Sequence, residues 1–169
     1  GDRKMAADNT YQPKVYRDQG GDTMTVASGG TLEFEAGSKC LRAVEVVTTT
    51  NVIDASESGT TYFLNLAGGF TSTLPAPAAG LHFKFVVATA PSTAYIIATN
   101  GGADILIGGV NELEVDTNSD GPYDNNADVI NFVASVAVVG DWVEMISDGT
   151  SWYFTGQTNA DGGVTTATT

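Results

Sequence analysis

The sequence predicts an all-β fold, an antiparallel sandwich, jelly roll or barrel-like body behind an extended N-terminal arm, and three observations predict it. Apolar and polar residues alternate with period two in one short run after another. Turn residues separate these runs at spacings of about ten residues, and most of the 20 glycines lie between the runs instead of inside them. No window combines helical periodicity with capping residues; even the best candidate, 127–139, is rich in Val and Ile and prefers a strand. A chain of 169 residues with 42% hydrophobic residues is enough for one domain with a real core and an arm.

Taken in order, residues 1–22 are polar and read as an arm that orders on a partner, the alternative being a disordered terminus. Within it Tyr11 and Tyr16 are amphipathic anchors, flanked by Pro13 and Arg17. Alternation begins with Met24 and Val26 and continues with Leu32 and Phe34. Residues 41–53 are β-branched, which stiffens χ1 and favours a strand. Further strands are expected at 60–66, 81–88, 94–99, 104–107, 112–115, 129–134, 142–147 and 152–155. The body is therefore 23–157, with 23–55 and 56–157 as alternative sub-units, and 158–169 reads as a flexible tail in preference to a last strand.

Charge is unevenly placed. The first 42 residues hold six of the seven Lys and Arg beside six acids; the remainder holds fourteen acids against Lys84, and 14 − 1 accounts for the whole net charge of −13. Such a body repels phosphate backbones, so nucleic acid is not an expected partner. Neither is a membrane, because no long apolar run is present; the N-terminal residues also lack a signal-peptide pattern. Cys40 is the only cysteine, which excludes an internal disulfide, and it reads as a small buried hydrophobe.

Chemistry-bearing motifs are sparse. His82, the only histidine, falls on the wetter face of its strand with no nucleophile signature beside it. Glu33 with Glu35, and Glu112 with Glu114, alternate with apolar residues as any solvated strand face does. Glycine pairs lack the residues of a phosphate loop. The chain therefore reads as a non-enzyme without an obligate cofactor. One loop stands above background: Asp116, Asn118, Asp120 and Asp124 follow the opening of a calcium loop, with Gly121 at the turn. Its twelfth position is Ala127 instead of the closing Glu, so calcium is expected only as a partial match. Trp142 and Trp152 are expected to pair across a hairpin.

The stretch 140–156, Gly-Asp-Trp-Val-Glu-Met-Ile-Ser-Asp-Gly-Thr-Ser-Trp-Tyr-Phe-Thr-Gly, reads as strand, Asp-Gly turn, strand. It resembles hairpins that close β domains of tailed-phage virion proteins, and 74–81 with its Phe-rich strand is similar to a loop of the same modules. With the arm, the hairpin resembles a capsid decoration, or cement, protein. The resemblance implies a homotrimer, made in the bacterial cytoplasm and seated on the outer capsid surface with its arm on the major capsid protein. The alternative is a fibre-tip or glycan-binding domain, in which Trp152, Tyr153 or Tyr123 would stack on sugars.

Overall fold

The computed structural model describes residues 15–17, 24–114 and 121–169. It divides into two compact units, 1–41 and 42–169, so the boundary lies beyond the expected arm end at residue 22. In the first unit, β1 (Val15–Arg17) pairs antiparallel with β2 (Met24–Val26), placing Tyr16 opposite Thr25. No strand forms at Leu32–Phe34.

The second unit is all-β, as expected, and sandwich-like. One sheet holds β3 (Val44–Val47), β5 (Thr61–Leu64), β7 (His82–Val87), β9 (Leu106–Glu112), β10 (Tyr123–Ala127), β12 (Trp142–Ser147) and β13 (Trp152–Thr158). The other holds β4 (Asn51–Val52), β6 (Phe70–Thr73), β8 (Tyr95–Ala98), β11 (Val129–Phe132) and β14 (Val164–Ala167). Their strand orders are β10-β9-β13-β12-β7-β5-β3 and β14-β11-β8-β6-β4.

The sheets are mixed, which refines the antiparallel expectation. From β3 to β8 each strand crosses to the opposite sheet, so next-but-one strands become parallel neighbours: β3, β5 and β7 in one sheet, β4, β6 and β8 in the other. The chain winds as a two-sided coil before hairpin-like pairing takes over at β11 to β14. Parallel pairing needs a crossover, and here the facing sheet supplies it.

Alternation drives this arrangement. In β7, Phe83, Phe85 and Val87 are buried while His82, Lys84 and Val86 are only partly so. The inward rows form one core, in which Tyr62 stacks on Phe85 at 5.3 Å and Phe83 lies 5.7 Å from Trp152. Each such ring removed from water contributes roughly 1.5–3 kcal/mol.

Loops are tied to this core by buried polar groups. The Tyr95 hydroxyl donates to the Thr89 carbonyl (2.8 Å) and accepts from the Leu66 N–H (2.9 Å), joining two cross-sheet connections. Asp141 is 3% exposed and accepts from the Val138 N–H (2.9 Å), the Asn159 N–H (2.9 Å) and the Thr158 hydroxyl (3.1 Å). Asp128, also buried, accepts from the Thr169 N–H at 3.0 Å and bonds its hydroxyl. Residues 158–169 are thus no free tail: β14 pairs with β11 and Val164 is fully buried.

Asp141→Ala is expected to lower stability by about 3 kcal/mol, because it strands donors that a buried carboxylate now satisfies. Tyr95→Phe is expected to cost about 1–2 kcal/mol for its two lost bonds. Urea unfolding followed by tryptophan fluorescence measures both; unchanged midpoints would remove these groups as fasteners.

Candidate interaction surface

In the first unit, none of residues 24–41 is buried. Met24, Val26, Leu32, Phe34 and Leu41 are all exposed, Leu41 at 87%. Cys40 is exposed as well, correcting its expected burial, since the segment around it builds no core to enter. Residues 24–41 thus keep several large apolar side chains in water, an unusual arrangement for a folded chain. Glu33, Glu35 and Lys39 are exposed between these side chains. Of the expected arm anchors, Tyr16 and Arg17 lie on β1, whereas Tyr11 and Pro13 fall outside the described residues.

In the second unit the outer face of the seven-stranded sheet is the other unusual surface. Its registers align outward side chains in rows across the strands. One row runs Val46, Phe63, Val86, Trp142 and Gln157. The next runs Val44, Thr61, Lys84, Glu144 and Thr155, and a third sets His82 beside Ile146, Tyr153 and Ile107. Val44, Val46, Ile146 and Tyr153 are between 45% and 65% exposed. Lys84 lies 4.1 Å from the Trp142 ring centroid, a cation–π contact, and the His82 Nε2 is 3.5 Å from Glu144. A groove of about 370 Å³ runs over His82, Glu144, Ile146, Tyr153 and Thr155.

The structure disperses the other chemistry-bearing residues. Glu33 and Glu35 are exposed, while Glu112 accepts from the Gly162 N–H (2.9 Å) and Glu114 from the Asp161 N–H (3.2 Å). The second carboxylate pair therefore holds the turn before β14. Of the calcium-loop residues, Asp116, Asn118 and Asp120 lie outside the described residues. The Asp124 carboxylate accepts from the N–H groups of Asn125 (2.8 Å) and Asn126 (3.1 Å) and from the Thr166 hydroxyl (3.2 Å). These bonds, that from Asn126 foremost, hold its carboxyl below the usual range. Asp124 thus already serves the junction of β10 and β14. No group of three or more His, Cys, Asp or Glu able to hold a metal occurs among the described residues.

The hairpin that carries the phage resemblance is explained by its own geometry. Asp141 is the buried acceptor described above, and Asp148 closes the turn by accepting from Thr150 and Ser151 N–H groups, each at 2.8 Å. Gly149 has φ +103°, and a Cβ on Gly156 would lie 2.4 Å from the Trp142 carbonyl oxygen. Trp152 is fully buried, so it offers no face to a sugar; Tyr123 and Tyr153 remain exposed. The two tryptophans do not pair, because Trp142 opposes Gln157 and Trp152 opposes Ser147, one facing outward and the other inward.

No protein-family model matches the chain, and no curated protein is found to be similar to it.

The turn yields a pH prediction. The Ser151 N–H first, and that of Thr150 next, hold the Asp148 carboxyl below its ordinary value. The ionised form is the one the fold favours, so its contribution is present above the unfolded value of about 3.9 and is lost as pH falls through the folded value. The difference in urea midpoint between wild type and Asp148→Asn is expected at pH 7 and should shrink toward zero near pH 2. A difference independent of pH would show that the charge plays no part.

Proposed function

We propose that this chain is a non-enzymatic structural protein that binds other protein surfaces, acting as a decoration protein on the outside of a tailed-phage head. The observation that carries this reading is the contrast between the two units. Residues 42–169 close around their own core, whereas residues 24–41 expose five large apolar side chains and bury none. A protein surface of matching shape would remove those side chains from water, at roughly 25 cal/mol per Å² of apolar area.

In this reading the first unit, with Tyr11, Pro13, Tyr16 and Arg17 as expected anchors, lies across neighbouring major capsid subunits. Its near balance of six acids and five bases lets it approach a shell that the acidic body would avoid. Binding only the assembled shell stabilises that shell by mass action, and the repetition of sites multiplies the effect. A second reading, a glycan-binding fibre-tip domain, draws on the groove beneath exposed Tyr153, where His82 and Glu144 offer hydrogen-bonding partners to hydroxyls.

Co-sedimentation with undecorated heads separates the two. Leu32→Asp combined with Phe34→Asp is expected to weaken head binding at least tenfold while leaving the melting temperature unchanged, because neither side chain contributes to a core. Tyr153→Ala should leave head binding intact. Undiminished binding by the Asp variant, or binding to cell-surface glycan abolished by Tyr153→Ala, would overturn the decoration reading.

A further inference from the structure

We propose that the outer face of the seven-stranded sheet is a contact surface for a second copy of this chain, joined about a two-fold axis. The inference stands apart from head binding, which is assigned to the first unit.

Charge identifies the occupant. Two chains of net charge −13 repel, and the repulsion is least where acids are fewest. After Arg42 there are fourteen acids, yet among the described residues in the aligned rows of this face the only one is Glu144, offset by Lys84. The face is neutral within itself while the rest of the body is strongly acidic.

Register then makes the face complementary to itself. On β7 and β12, Val86 lies beside Trp142, Lys84 beside Glu144, and His82 beside Ile146. A two-fold axis running along the strands, midway between β7 and β12, exchanges the positions of these two strands in the facing copy. Each Lys84 then comes over the partner copy's glutamate, and each Trp142 over its valine. Contacts of this isologous kind satisfy two ion pairs and two apolar contacts with one surface. Copies held in any register that set Lys84 over Lys84 would repel.

Size is adequate. The axis pairs six of the seven strands, leaving β10 outside; at four to seven residues each, about 3.4 Å per residue and about 4.8 Å apart, they present roughly 550 Å². With the relief of side chains added, that projected area approaches the ~800 Å² per partner of an ordinary stable interface. The exposed Val44, Val46, Ile146 and Tyr153 would supply its apolar part.

Sedimentation equilibrium on the full chain tests the proposal at concentrations from about 1 to 200 µM. The wild type is expected to reach twice its 17.5 kDa mass. Lys84→Glu and Glu144→Lys should each weaken association at least tenfold, and the double exchange should restore it, since the swapped charges again face opposites. Circular dichroism and melting of each variant establish that it is folded. Wild type that stays at 17.5 kDa throughout would overturn the proposal. A three-fold mass, as the phage resemblance implies, or single variants that associate like the wild type, would also overturn it.

Discussion

Sealing every second side chain between two sheets is the constraint from which the second unit follows. From Tyr62 to Val164, inward residues such as Leu64, Phe83, Ile97, Ile130 and Met145 are all at or near zero exposure. A strand that slipped by one residue would expose its whole row, so registers are fixed wherever a row faces the core. Strands between β3 and β8 meet the constraint by crossing to the facing sheet, which makes parallel neighbours without helices. Two of the connections that result, 65–69 and 88–94, are tied by Tyr95; Asp141 does the same for the later crossings out of β11 and β13, and Asp128 for the segment after β14, their buried polar atoms satisfying loop backbone that the sheets leave unpaired.

The outward rows are free of that constraint and record other demands. Most acids sit in turns, on edges or at strand ends, where several hold local structure: Asp54 caps a short 3₁₀ turn, Asp148 closes the hairpin, and Glu112 and Glu114 fasten the segment before β14. The seven-stranded face keeps a single acid with a lysine and a histidine among apolar side chains. Concentrating repulsion elsewhere leaves one surface of the body on which a like-charged neighbour can rest. The first unit differs: its charges nearly balance, six acids to five bases, and the large apolar side chains of residues 24–41 are exposed.

Much of the body was legible because period-two alternation survives in single-sequence form wherever the buried residues are large. The strands at 61–64, 82–87, 95–98, 129–132 and 142–147 carry Tyr, Phe, Leu, Ile, Val or Met on the inward face. Three strands were hidden for the converse reason. In β6 one inward residue is Ser72, in β10 the sole buried residue is Ala127, and in β14 it is Val164, so the apolar signal never repeats. Residues 41–53 look like one β-branched strand, yet the run breaks into β3 and β4, which belong to opposite sheets. Period two reports which face a residue takes and is silent on which strand lies beside it. Only where a turn closes a hairpin, at Asp148 and Gly149, is the partner readable. Even there, pairing Ser147 with Trp152 puts Trp142 against Gln157, which is why an expected pair of tryptophans does not exist. The candidate surfaces were less visible, because they are defined by rows across strands and by the exposure of residues 24–41, neither of which is local in sequence.

The hairpin motif is accounted for by turn geometry, close packing and a buried carboxylate, so it speaks for a fold; the proposed adhesion rests on the exposed side chains of residues 24–41. Hydrogen–deuterium exchange of the protein, free and bound to undecorated heads, tests that claim most directly. Amides of 62–64, 82–87 and 142–147 should be protected in both states, while those of 24–41 should exchange rapidly in the free protein and slow markedly on the head. Protection of 24–41 that is already complete in the free protein, or that does not change on binding, would contradict the account.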